Sequence, residues 1–332
     1  MPTIPQQSAS GTATRRAGAS ARPGGSLIDP PTLMRIKSLQ MRAKVAVEGF
    51  FKGIHRSPYH GFSVEFSEYR QYTPGDDPRY LDWRLFARSD RYYVKRFEDE
   101  TNLRCHLVLD TSRSMGFRSG AYSKSEYART AAATIAYFLS TQRDAVGLLT
   151  FEDRIVEYLP ARYRPGHLRR LMAILDREPT GRATNLAGPL DEVAATVRKR
   201  GLIILISDLL APTDMLRTRL GYLSSRGHDV IVLRILDPAE VSFAFSAPAM
   251  FLDVESGREV YIDPSQAKSD YLRRFAAHAA EIERSCVDLG IEYQSITLDR
   301  PLELVLFDVL KARMRRGRVP GHRGRARPGG AR

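Results

Sequence analysis

In the stretch VLDTSRSMGF, Asp110, Ser112 and Ser114 alternate directly after an apolar run. Asp and Ser present hard oxygens, the donors that a small hard cation such as Mg2+ takes in an octahedral shell that keeps some water. Two further loops offer the same type of donor: GRATNL with Thr184, and SDL with Asp208. Two serines two residues apart can point together if the loop after the strand is extended. Thr184 would approach from a separate loop, and Asp110 and Asp208 would supply negative charge. With two carboxylates at most among neutral hydroxyls, the cation would stay electrophilic and open to an acidic oxygen from outside. The competing reading is local, because Ser or Asp after a strand commonly forms a turn or an N-cap, and Thr184 could cap the helix near 188. One loop alone favours the cap; three on one edge favour the cation.

What must position these loops is an alternation of apolar strands and amphipathic helices. LRCHLVLD, AVGLLTF (145–151), LIILISD (202–208) and DVIVLRILD (229–237) read as strands, with RIVEYLP returning beside the second. Ser123-x-x-Glu126 is a capping box that opens a helix with Tyr127, Ala131, Ile135 and Leu139 on one face. Helices are also expected over 29–52, in GHLRRLMAILDRE, after TNLAG, in PTDMLRTRLGYLSSRG up to Gly227, over 264–286 and over 301–314. AMFLDVESGREVYID reads as a hairpin, and IEYQSITL as a final strand. TPGD at 73–76 is a type II turn signal, and PRYLDWRLFARS is a short helix candidate. This order implies a mostly parallel sheet with helices on both faces. Such sheets bind ligands at the carboxyl ends of their strands, the edge that carries Asp110 and Asp208. No Gly-rich phosphate fingerprint follows any strand, so a nucleotide cofactor is not expected.

The chain of 332 residues carries a net charge of +13, concentrated at its ends. Residues 1–25 hold Arg15, Arg16 and Arg22 and no acid; residues 311–332 hold nine Lys or Arg and no acid. Both stretches are too poor in apolar residues to order themselves. Without aromatic residues among the arginines, nucleic acid is not the expected partner. The longest apolar run, GLIILIS, is far shorter than the ~20 residues that span a bilayer. The N-terminus has no secretory h-region. Two cysteines, Cys105 and Cys286, make neither a disulfide framework nor a zinc cage, and buried free thiols fit a reducing cytoplasm.

The spacing D-x-S-x-S, then Thr184, then Asp208 resembles the metal-ion-dependent adhesion site of the von Willebrand factor A fold. The resemblance implies that Ser112, Ser114 and Thr184 ligate Mg2+ or Mn2+, with Asp110 and Asp208 acting directly or through water. EFSEYRQYTPGDDPRYLDWRLFARSDRYYVKRFEDE (65–100) is similar to the signature of the domain of unknown function 58 family. That family joins such a signature to an A-type domain and is linked to MoxR-type AAA+ ATPases. The resemblance covers about residues 29–310. It implies an α/β, von Willebrand factor A-like, doubly wound sheet over 101–310, preceded by a smaller α+β segment over 26–100 and flanked by tails at 1–25 and 311–332. Within the signature, Asp76, Asp77, Arg79, Asp82 and Arg84 would form an ion-pair network or a partner surface, and Trp83 a core anchor. The expected function is a non-enzymatic binding module whose metal takes a partner carboxylate, the partner being a MoxR-type ATPase or its client, with no small-molecule substrate. The alternatives are a metal-dependent hydrolase, for which His106 and His167 offer no motif with the aspartates, and a protein tethered to nucleic acid by its Arg-rich tail.

Overall fold

A computed structural model describes residues 27–55, 69–71, 93–95, 103–179, 186–245, 247–252 and 259–317. The chain enters through α1 (Pro30–Met34) and α2 (Leu39–His55), then a small antiparallel pair, β1 (Tyr69–Gln71) and β2 (Tyr93–Lys95). The main body runs β3 (Arg104–Asp110), α3 (Lys124–Thr141), β4 (Ala145–Phe151), β5 (Ile155–Arg162), α4 (His167–Leu175), α5 (Ala187–Thr196), β6 (Leu202–Ser207), α6 (Thr213–Ser225) and β7 (Asp229–Leu236). It continues through α7 (Pro238–Ser242), the hairpin β8 (Ala249–Leu252) and β9 (Glu259–Ile262), α8 (Pro264–Asp288), β10 (Glu292–Thr297) and α9 (Leu302–Gly317). The six-stranded sheet has the order β10-β7-β6-β3-β4-β5, parallel throughout except for the antiparallel edge strand β5. This agrees with the von Willebrand factor A-like fold expected from the sequence.

Two expectations are corrected. The helical region at 29–52 is two helices, α1 and α2, because Arg35 caps the first with its N–H on Leu33 and Thr32 carbonyls. The Ser38 hydroxyl then accepts from the Met41 N–H at 3.3 Å and restarts the chain as α2. The TPGD turn, the PRYLDWRLFARS helix, Trp83 and the charged residues 76–84 lie outside the described residues, as do the N-terminal tail and residues 318–332. The C-terminal tail expected from 311 begins later, because residues 311–317 continue α9, with Ala312 buried and Arg313 paired with Asp144 at 3.1 Å.

Strand periodicity decides which layer each residue meets. On β3, Cys105, Leu107 and Leu109 join a core with α2, α3, α4 and α9, while Val108 joins a second core with α5, α6 and α8. Leu205 of β6 and Val232 of β7 lie in the second core as well. Two residues further along each strand stand Asp110, Ser207 and Arg234. The period of two thus delivers three polar side chains to one face, at the carboxyl end of three adjacent strands. α3 lies against the first layer, with Tyr127, Ala131, Ile135 and Leu139 all buried. α2 covers it, Phe50 meeting Phe138 edge to face at 5.7 Å between centroids. Where β5 folds back on β4, a register shift sits between Val146 and Leu148. A Cβ at Gly147 would come within 2.7 Å of the Ala161 nitrogen, so this close approach requires glycine.

Candidate functional site

The first loop is built on Asp110, whose side chain is almost fully buried at the end of β3. Its Oδ1 accepts from the Ser112 N–H at 2.9 Å, an Asx-type turn that bends the chain away from the strand. Its Oδ2 accepts from the Ser207 hydroxyl at 2.6 Å. Thr111 donates from both its N–H (2.8 Å) and its hydroxyl (2.9 Å) to the Phe151 carbonyl, which fixes the loop to the end of β4. Ser112 is extended, and a short 3-10 turn follows over Arg113–Gly116. The extended residue lets the two serines converge: Ser112 Oγ and Ser114 Oγ are 3.1 Å apart and both residues are buried. Met115, fully buried, anchors the turn in the first core.

The second loop follows β6. Ser207 donates to Asp110 and accepts from the Leu209 N–H at 3.0 Å, so one hydroxyl joins both loops. Leu209 is held at φ 54°, a left-handed conformation unusual for a leucine. Strain of this kind persists where the surroundings over-determine it, and here Leu209 is completely buried. Asp208 is also buried; its Oδ2 accepts from Lys124 Nζ at 2.9 Å and its Oδ1 from the Leu210 N–H at 3.3 Å. Its main-chain carbonyl accepts from Arg234 Nε at 3.1 Å. Arg234 is itself buried, with a guanidinium nitrogen 3.3 Å from His278 Nδ1 and its plane over Phe275.

Electrostatics follow from this crowding. Burial, then repulsion from Asp208, push the Asp110 carboxyl up to about 7, against hydrogen bonds from Ser207 and Ser112 that lower it. For Lys124, burial works against the ammonium, but Asp208 and Glu240 more than offset it and leave the group above the usual lysine range.

Of the expected site residues, the structure brings Asp110, Ser112, Ser114 and Asp208 to one edge; Thr184 lies outside the described residues. The donors are carboxylates and hydroxyls only, the set that suits a hard cation. Among the described residues no three His, Cys, Asp or Glu side chains gather as a metal cluster, so a cation here would depend on the serines. The two histidines weighed for a hydrolase stand elsewhere: His106 lies inside β3, and His167 sits at the start of α4 with Nε2 on the Val146 carbonyl at 2.7 Å.

The family description "Protein of unknown function DUF58" matches residues 68–283. The chain belongs to the DUF58 family. It is 31% identical over 305 residues to Uncharacterized protein Rv1480 of Mycobacterium tuberculosis (strain ATCC 25618 / H37Rv), covering 90% of this chain and 94% of that one. With Uncharacterized protein MAV169 of Mycobacterium avium it shares 32% identity over 156 residues, 46% of this chain and 90% of the relative. Among solved structures, conserved hypothetical protein BatB from Bacteroides thetaiotaomicron aligns with a TM-score of 0.44 and 14% identity over 64% of this chain and 99% of that chain. The SpRpn10 VWA domain aligns with a TM-score of 0.39 and 14% identity over 62% and 94%. No described helix of this DUF58 chain is long and apolar enough to cross a membrane.

Sequence reasoning missed four residues of the candidate site: Lys124, Ser207, Arg234 and Glu240. Two signals were present. Lys124 directly follows the capping Ser123, at the helix end where the macrodipole disfavours a cation. Arg234 interrupts the otherwise apolar run VIVLRIL. Ser207 and Glu240 carried no comparable mark, since a Ser before an Asp and a Glu in a capping box are both locally explained.

Proposed function

We propose that this chain is a non-enzymatic protein-binding module that holds Mg2+ or Mn2+ on Ser112, Ser114 and Thr184, with Asp110 and Asp208 supplying charge. When bound, the cation would supply a Lewis-acidic position for a carboxylate of a partner protein. The observation that carries this reading is the convergence of two buried serine hydroxyls, 3.1 Å apart, beside Asp110. The resemblance to the metal-ion-dependent adhesion site supports it. The proposed partner is a MoxR-type AAA+ ATPase or its client, in assembly or maturation of protein complexes. Two buried free thiols, Cys105 and Cys286, suit a cytoplasmic setting.

The hydrolase alternative requires a free general base. Asp110 and Asp208 have both carboxylate oxygens engaged by donors within the chain, which favours a holding role over proton transfer. The test is a calorimetric titration of Mn2+ into the full chain and into Ser112→Ala, followed by capture of a purified MoxR-type ATPase with Mn2+ or with chelator. Saturable heat that Ser112→Ala abolishes, with chelator-sensitive capture, supports the module. Metal-dependent turnover of a model phosphoester would replace it with the hydrolase.

A further inference from the structure

We propose that Lys124 is a positioning residue of this site: an internal cation that holds Asp208 out of direct contact with the metal and lowers the site's affinity for it. The inference rests on the metal-binding reading above and deepens it.

The Lys124 side chain has no solvent exposure. Its Nζ lies 2.9 Å from Asp208 Oδ2 and 2.6 Å from Glu240 Oε1, with the Phe117 ring 5.8 Å away. Burying a lysine is costly even when it is paired, and at the first position of α3 it also opposes the helix dipole. A purely structural link between α3 and α7 could use a neutral pair at lower cost. What the ammonium adds is a full positive charge on one specific carboxylate. Asp208 is clamped on three sides, by Lys124 on Oδ2, by the Leu210 N–H on Oδ1 and by Arg234 on its carbonyl. A metal ligated directly by Oδ2 would sit against the Lys124 ammonium, and this repulsion keeps Asp208 acting through water. The ammonium also cancels one negative charge next to Asp110. A cation held there is left short of anionic ligands, which is the condition for taking a carboxylate from a partner.

Glu240 makes the device more than a local pair. It is the third residue of α7, and its Oε2 accepts from the Asp237 N–H at 2.9 Å in a capping box. Its carbonyl accepts from the Tyr271 hydroxyl of α8 at 2.9 Å. Asp237 in turn accepts from the N–H of Ser119 at 2.9 Å and from its hydroxyl, in the continuation of the Asp110 loop. The lysine that sets the charge at Asp208 is thereby fixed to α7, the segment that also braces the serine loop.

The experiment is Mn2+ binding to the full chain, read by calorimetry for affinity and by water-proton relaxation for the number of waters kept on the metal. Lys124→Met is expected to tighten Mn2+ by on the order of tenfold and to remove water from the metal as Asp208 enters its shell. Glu240→Gln, which leaves the whole ammonium to Asp208, is expected to weaken it. Should Lys124→Met fail to fold, the lysine is removed in the Glu240→Gln background, where one anion and one cation are deleted together. The same tightening relative to Glu240→Gln is expected there. Affinity and hydration unchanged by loss of the lysine in a folded variant would overturn the proposal and leave Lys124 a structural pair. If the wild-type chain binds no Mn2+, the metal reading and this inference fall together. Wild-type binding with an indifferent Lys124 removes the inference alone.

Discussion

The two ends of the central strand β3 bury titratable groups in opposite ways. Towards its amino end stand Cys105 and His106, and the same end of the sheet holds His167 and His228, whose Nε2 atoms meet the carbonyls of Val146 and Val197. Burial favours the neutral forms of His106 and Cys105: His106 is lowered to about 4 by burial, then by His228 and Arg104, and the Cys105 thiol is pushed up, first by burial and then by Asp144. At the carboxyl end, by contrast, Asp110, Asp208, Lys124, Arg234 and Asp237 all lie below a tenth of full exposure. They are tied to one another and to the loops rather than to the strands. Buried polar groups are tolerated when neutral and bonded, whereas buried charges need partners. One end uses these groups as filling for the core. The other concentrates charge, a strained Leu209 and paired hydroxyls, the pattern expected where stability is given up for binding.

The sharpest way to break this contrast is Asp110→Asn. It keeps the volume and most of the hydrogen bonding but removes the charge. Mn2+ affinity should fall by on the order of 100-fold, measured by calorimetry, while the metal-free chain at pH 8 should be as stable as wild type or more so. The sign follows from the raised carboxyl. Stability from a group held at about 7 is fully present below its ordinary value of 3.8 and is lost as the pH rises through 7. Asp110→Asn removes that loss. A variant that loses several kcal/mol at pH 8 would show Asp110 to be a structural residue like those at the other end.

The second test uses the opposite slope. His106 has its folded pKa depressed from 6.5 to about 4, so its contribution is present above 6.5 and lost as the pH falls through 4. Across roughly the same window the two ends therefore pull stability in opposite directions, by roughly 3 kcal/mol for His106 and roughly 4 kcal/mol for Asp110 at full extent. In the metal-free wild type the slopes partly cancel. His106 Nδ1 has no hydrogen-bond partner among the described residues, so His106→Leu leaves no orphaned donor behind. Denaturant unfolding from pH 4 to 7 should show the Leu variant losing stability as pH rises, and Asp110→Asn gaining it. Parallel curves for wild type and both variants would mean that neither burial is felt.

The contrast also explains what the sequence made legible. The fold was readable because period and capping are local: the apolar runs at 145–151 and 202–207 are strands, and the Ser123–Glu126 capping box is formed. The D-x-S-x-S loop was readable because its geometry is written within five residues. Lys124 meets Asp208 across 84 positions and Glu240 across 116, and no spacing rule links them. Only the parallel order of β3, β6 and β7 brings their loops together. The split of 29–52 was missed for a smaller reason: a Ser38 restart looks like any polar position on an amphipathic helix.

The smallest expected effect belongs to Cys105, and it tests the quiet end directly. The thiol is fully buried on β3, facing the first core, and its raised pKa leaves essentially no thiolate at neutral pH. Because the thiolate is the reactive species, Cys105 should resist iodoacetamide in the folded chain and react only under denaturant, as peptide mass mapping would show. Cys105→Ala removes one sulfur from a packed site and should cost about 1 kcal/mol. Since Asp110 points to the opposite layer, five residues along the same strand, its Mn2+ affinity should remain within about twofold of wild type, the scatter expected when sites share no partner. A larger change in affinity would mean that strain travels along β3 from one end to the other, and the division of labour between its ends would no longer hold.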